Sequence, residues 1–245
     1  MQGYCVDETA FDLAASDISG PIRIPIQTTA DGYYLPRCGS MFAFGNKKTK
    51  IRTRIIMKLA LNEQLYLDNE NLQRGTNLER HFSHMYAMFS NFYIPGIHIT
   101  DSVIAFIYMY EAEVLKCTKQ GSYMGIWQLF ALADVLKCPV MSSYPMFVRA
   151  EIREGLDLHR LILPSHNSEG DAKAHILWTS TRSDMKPQNW IPNHFVPLVC
   201  IDRDDSIISK DPRNAHSGLT SGMPEDVRYY KITYINTNLS ISWVT

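Results

Sequence analysis

The chain has 245 residues, of which 45% are hydrophobic and 20% charged, with a formal net charge of −1. That is an ordinary globular composition, enough for one large domain or a domain with a small appendage, and its core needs no covalent staples. A near-neutral balance excludes any global electrostatic pull toward nucleic acid or anionic membranes. The five cysteines (Cys5, Cys38, Cys117, Cys138 and Cys200) are odd in number and contain no Cys-x-x-Cys pair. They read as reduced thiols rather than a disulfide framework or zinc site, and neither a metal nor a cofactor is expected. Asp7, Glu8 and Asp12 stand where a signal peptide would be basic and then apolar, and the longest apolar run, Val103 to Tyr110, is far short of a membrane span. The expectation is a soluble intracellular protein of the cytoplasm or nucleus, without membrane contact.

Taken in order, residues 1–25 form a mixed lead-in. Ile22, Ile24 and Ile26 alternate with Arg23, Pro25 and Gln27, which predicts a short strand at a sheet edge, because a proline cannot donate to a ladder. Asp31-Gly32 is a turn dipeptide, Pro36 suits a first helical turn, and Met41, Phe42 and Phe44 give an apolar face before Gly45-Asn46. A tight loop therefore feeds a short buried helix, and a side chain at the junction can face a substrate beside unbonded N–H groups. Ile51, Ile55, Ile56, Leu59 and Asn62 fall on one face of a following helix. Lys47, Lys48, Lys50, Arg52 and Arg54 read as its solvated side, since no aromatic residues are interleaved. A nucleic-acid contact through the Lys47–Lys58 face is the less favoured alternative.

Thr76-x-x-Glu79 fits a capping box for a helix from His81 to Phe89. His81 and His84 could share a face and hold a metal, but the sequence offers no third and fourth ligand nearby. Tyr93-Ile94-Pro95-Gly96 breaks the chain, and Asp101 can cap a helix with Val103, Ile107, Tyr110 and Val114 as its core stripe. Gly125 to Leu136 is a strongly apolar helix ended by Cys138-Pro139, and Val140 to Tyr144 a strand. Residues 146–174 read as a long excursion containing a loop at 165–170, and Ala174 to Thr179 as a strand. A polar linker over 202–226 leads to a C-terminal hairpin, 227–235 and 239–244, around Asn236-Thr237-Asn238.

Three of these segments carry a family resemblance. Asp31-Gly32 followed by an apolar helix resembles the nucleophile segment of ovarian-tumour (OTU) family cysteine isopeptidases, whose pattern is Asp-Gly-x-Cys. Leu35-Pro36-Arg37 is similar to the vertnin- and transposon-like OTU subgroup, as is Ile176-Leu177-Trp178. The Gly125-Ile126-Trp127 helix start, its Ala131-Leu132-Ala133 centre and the strand ending in Tyr144 resemble a second OTU segment, and His194-Phe195 a third. The resemblance spans roughly residues 30–200. It implies an α/β, papain-type OTU-like fold, with a small twisted central sheet flanked by helices. Residues 1–29 would be a lead-in strand, 30–200 the domain, and 201–245 a linker and hairpin packed on it.

An OTU enzyme attacks an isopeptide carbonyl with a thiolate, while a His takes the thiol proton and loop N–H groups hold the oxyanion. The resemblance makes His194 the base, Asp31 or Asn193 its orienting partner, and Gly32 and Tyr33 the oxyanion loop. The nucleophile position holds Tyr34, whose phenol, with a pKa of about 10, is largely protonated at neutral pH. Cys38 is the alternative nucleophile, yet one helical turn displaces it by about 5 Å; otherwise it is a packing cysteine. The function implied is a catalytically silent pseudo-deubiquitinase that binds a protein, with ubiquitin or a ubiquitin-like modifier as the partner class. The alternative is an active isopeptidase that uses Cys38 or another nucleophile.

Overall fold

In the computed structural model, residues 5–15, 23–29, 31–45, 50–87, 90, 92–93, 103–145, 157–166, 173–181 and 190–200 are described. They form a five-stranded sheet in the order β1-β5-β4-β2-β3, with β1 Arg23–Pro25, β2 Val140–Ser143, β3 Arg160–Ile162, β4 Ala174–Thr179 and β5 His194–Cys200. Only the β2–β4 pair is parallel; β1–β5, β4–β5 and β2–β3 are antiparallel. Pro25 sits on the edge strand, as its missing donor requires. Pro197 lies in the interior strand β5, and its carbonyl accepts the Ile26 N–H at 3.0 Å. The N–H that Pro197 lacks therefore lies on the side facing Ile26, just past the end of β1, and not in the β4–β5 ladder.

Helices cover both faces, and five of the six β4 residues are buried as a result. Ala10 and Ala14 of α1 (Glu8–Ala15) pack against Leu177, Val196 and Leu198. On the other side, α8 (Ile126–Leu136) enters the main core with Ile176, Trp178 and Phe195. Gln128 closes the start of α8 by accepting the Gly125 N–H at 2.7 Å. Ile51, Ile55 and Leu59 of α3 (Lys50–Leu61) are fully buried, on the face that their spacing predicts. Gly39 in α2 (Tyr34–Phe44) is where three helices meet. A Cβ there would lie 2.6 Å from Leu132 Cδ1 and 3.0 Å from Ile51, so any larger residue would push the Leu132 side chain aside. Short helices α4 (Glu63–Leu67) and α5 (Asn69–Leu72) follow α3.

Several expectations are corrected. The lead-in contains α1, which Asp7 caps by accepting the Ala10 N–H at 3.0 Å. Thr76 accepts the Leu78 N–H, but residues 76–81 are not helical; α6 (Phe82–Ala87) starts only at Phe82, and residues 88 and 89 lie outside the described residues. The buried stripe of α7 (Val103–Thr118) is Phe106, Met109, Tyr110, Val114 and Cys117, with Ile107 half-buried. The excursion after 146 contains β3, in which Arg160 and Ile162 are buried. Buried Arg160 donates to the carbonyls of Leu72 and Arg74 at 2.8 and 2.5 Å, so a cation stands where an apolar residue would mark a strand. Arg52 is 7% exposed, not part of a solvated face. Residues 94–102 and the C-terminal linker and hairpin lie outside the described residues. Among the described residues no helix is long and apolar enough to cross a membrane, and no group of three or more His, Cys, Asp or Glu could hold a metal.

Candidate functional site

The site is built on the loop into α2. Asp31 Oδ1 accepts the Tyr33 N–H at 3.0 Å, an Asx-type turn that aims the chain into the helix, and the Asp31 carboxylate is ion-paired with Arg37 one turn on. Gly32 has φ +75°, and a Cβ on it would lie 2.3 Å from the carbonyl carbon of Gly121. Two backbones thus touch where the α2 loop meets the α7–α8 joint. Arg52 fastens the same junction from below. It donates to the Cys117 and Lys119 carbonyls at 2.6 Å each, to Ser122 Oγ at 2.9 Å and to the Gly32 carbonyl at 3.3 Å. Its guanidinium also lies 4.6 Å from the centre of the Tyr33 ring.

Tyr34, the first residue of α2, meets His194, the first residue of β5, with ring centroids 3.8 Å apart and planes at 77°. The sheet makes this meeting possible, because β5 lies beside β1 and so reaches the loop that leads into α2. The Thr28 hydroxyl donates to the Phe195 carbonyl at 2.9 Å and lies 2.9 Å from His194 Nε2. Having spent its one proton on Phe195, Thr28 must accept from Nε2–H, which leaves the lone pair on Nδ1. Nδ1 is buried and makes no hydrogen bond among the described residues. Burial lowers the His194 pKa to about 4, so the ring is neutral near pH 7. Burial chiefly, then the Asp31 charge, raises the Tyr34 phenol above its ordinary value, against an opposing hydrogen bond from the Gly32 backbone. The arrangement is a neutral imidazole with a free lone pair packed against a phenol that keeps its proton.

The structure brings Tyr34 and His194 together, but it rearranges their supporting cast. Asp31 is committed to Arg37 and the Tyr33 amide, and Asn193 to Thr181, whose N–H and hydroxyl it meets at 2.9 and 3.0 Å. Neither is the partner of His194; Thr28 is. The Tyr33 N–H expected in the oxyanion loop is spent on Asp31. Cys38 has no accessible surface and belongs to the main core. His81 and His84 lie with ring centroids 6.0 Å apart. Sequence reasoning missed Thr28 and Arg52. A threonine before a turn carries no signal of its own, and Arg52 looks like its basic neighbours until the fold shows which one turns inward.

The family model of the vertnin OTU domain matches residues 25–179, more than half of the chain. The chain belongs to the vertnin OTU-domain family. Mouse (Mus musculus) vertnin is 22% identical over 200 residues, which cover 79% of this chain and 25% of that protein. Vertnin of Ailuropoda melanoleuca is 21% identical over 220 residues, covering 87% of this chain and 29% of the relative. Vertnin of Danio rerio is 33% identical over 95 residues, 37% of this chain and 13% of the relative. The chain thus spans less than a third of the length of these vertnins. Its mixed sheet between helices is that of an OTU-like domain. The matched segment takes in Thr28, Asp31 and Tyr34 and stops before His194, so the vertnin OTU match carries the loop and α2 while β5 brings the imidazole from beyond it.

Proposed function

We propose that this vertnin-type OTU domain is catalytically silent and acts as a protein-binding module, with ubiquitin or a ubiquitin-like modifier as its partner class. The observation that carries this reading is the Tyr34 ring against His194, at the position where the OTU pattern has cysteine. A phenol with a raised pKa is a poor nucleophile, and its ring fills space that a scissile bond would need. The neutral imidazole then has no thiol to deprotonate. Burial of Cys38 opposes the alternative of an isopeptidase working through that residue.

Two measurements test the reading together. A ubiquitin propargylamide probe, which captures OTU-type thiolates covalently, should give no adduct with the full chain. Titration of the chain into isotope-labelled ubiquitin should shift a contiguous set of ubiquitin resonances. An adduct abolished by Cys38→Ala would establish the active isopeptidase instead. No adduct and no shifts, with ubiquitin or its relatives, would remove this partner class.

A further inference from the structure

On the Phe195 side of β5, away from the Tyr34–His194 contact, a cavity of about 460 Å³ opens between α7, α8 and the ends of the strands. This is the size of a small-molecule site. Its described wall holds six aromatic residues: Tyr86, Tyr123, Trp127, Tyr144, Trp178 and Trp190. Tyr144 and Trp190 meet at 90° with centroids 5.3 Å apart, forming a corner, and Trp178 joins Tyr144 at 5.6 Å. The others rest on rings behind them: Tyr123 on Phe195 at 5.8 Å, Trp127 on Tyr110 at 5.3 Å and Tyr86 on Phe130 at 5.8 Å. Packing therefore holds the rings in place and keeps the space open.

Five of these six residues have their polar atom bonded within the protein or covered by it, so they show the space ring carbon. Trp178 donates its Nε1–H to Ser142 Oγ at 2.8 Å, and the Tyr86 hydroxyl accepts from Arg160 at 3.1 Å. The Tyr123 hydroxyl and the indole nitrogens of Trp127 and Trp190 are buried under protein atoms. The remaining polar groups of the described wall are occupied. Gln128 is committed to the Gly125 N–H and the Cys117 sulfur, and Asn193 to Thr181. Ser90 donates to Glu113 at 2.9 Å, and Glu113 is engaged beyond that bond as well. Water is poorly held against such a wall, because an ordered water needs several polar partners, and an apolar group readily displaces it.

Ligand classes can be sorted against this wall. A charged ligand would lose its hydration on entering, which costs far more than a ring face returns unless an unengaged counter-charge meets it. A saturated hydrocarbon fills the volume but gains only dispersion contacts. A flat aromatic molecule does more at the Tyr144–Trp190 corner. Stacked on one ring, it meets the other edge to face, and each such pair adds to what burial alone contributes. We propose that the cavity is a binding site for a neutral, flat aromatic small molecule of about two or three fused rings. Neither Tyr34 nor His194 is among the described lining residues, so this site is independent of the silent-domain reading.

The test uses the full chain and probes that share one carbon skeleton: naphthalenemethanol, its saturated form decahydronaphthalenemethanol, naphthalenemethylamine and naphthoate. Calorimetry at neutral pH, where the amine is a cation and the naphthoate an anion, gives the affinities. Naphthalenemethanol should bind more tightly than each of the others by about tenfold or more. Trp127, Trp178 and Trp190 line the cavity, so binding should also shift their indole resonances. Trp190→Leu removes one side of the corner while keeping apolar bulk, and should bring the aromatic and saturated alcohols to similar affinity. If that variant misfolds, the probe series and the indole shifts on the unaltered chain decide alone. Equal affinity for the saturated alcohol, tighter binding of either charged probe, an aromatic preference that survives Trp190→Leu, indole resonances unmoved at saturation, or no binding overturns the proposal.

Discussion

The Thr28 hydroxyl and the imidazole of His194 are 166 residues apart in sequence and 2.9 Å apart in space. Because that hydroxyl already donates to Phe195, it fixes which ring nitrogen carries the proton. A small neutral residue thus sets the tautomer of the one imidazole that faces Tyr34, the role in which a carboxylate or amide was expected.

A thiol introduced by Tyr34→Cys would stand at the start of α2 beside the Nδ1 lone pair. The helix start favours the thiolate, and the Nδ1 lone pair can take the thiol proton as a general base. The new thiol should be alkylated faster than any of the five native cysteines, three of which are buried. His194→Ala in that background should slow alkylation about tenfold, and Thr28→Val by a smaller factor. Rates unchanged by both substitutions would mean that the imidazole does not engage position 34.

Acid should weaken the fold through His194. Its folded pKa of about 4 lies below the free value of 6.5, so between those pH values the unfolded chain takes a proton that the folded one refuses. Stability should therefore fall as pH drops through 6.5 and go on falling to about 4, by roughly 3 kcal/mol for this group. His175, also lowered to about 4, acts in the same direction. Urea unfolding at a series of pH values checks this, and His194→Gln should flatten the slope whatever it does to stability at neutral pH.

Gly32 and Gly121 both have positive φ, yet they should differ in tolerance. Alanine at 32 collides with the Gly121 backbone, whereas alanine at 121 meets nothing nearer than the Asp31 carbonyl at 3.9 Å. Gly121→Ala should cost about 1 kcal/mol of backbone strain. Gly32→Ala should cost more than about 2 kcal/mol, because the loop must also separate from its neighbour. Similar losses in thermal unfolding would show that the two loops do not hold each other.

Arg52→Leu leaves the Cys117 and Lys119 carbonyls without their guanidinium, at a cost of about 3 kcal/mol. Urea denaturation curves measure this loss, and an unchanged midpoint would show that the guanidinium does not hold the junction.

Legibility in the sequence followed the dominance of apolar pattern. Ile51, Ile55 and Leu59, the α8 run and the strand from Ala174 to Thr179 all carry it, and each element was readable. Where a polar residue occupies an inward position the pattern fails, and buried Arg160 hid β3 in this way. The acidic residues at 7 and 8 mark the start of α1, but in the sequence they stand without an apolar stripe long enough to announce a helix. The meeting of Tyr34 and His194 was legible because ordered family motifs carry long-range information that local propensity lacks. The partner of His194 was not. Asp31 and Asn193 are chemically apt but locally engaged, and only the sheet brings Thr28 to the ring.

The place of β5 between β1 and β4 also dictates an order of assembly. When residues up to the end of β4 have been synthesised, β1 has no strand to pair with, because β5 alone links it to the rest of the sheet. The apolar face of α1 waits as well, since Val196 and Leu198 are two of the three buried residues that seat it. A nascent or truncated chain ending near residue 179 would therefore expose two unpaired strand edges, on β1 and β4, a template for intermolecular pairing. Fragments for expression need to run through Cys200, because an interior strand of the sheet is the last of the described strands to be made.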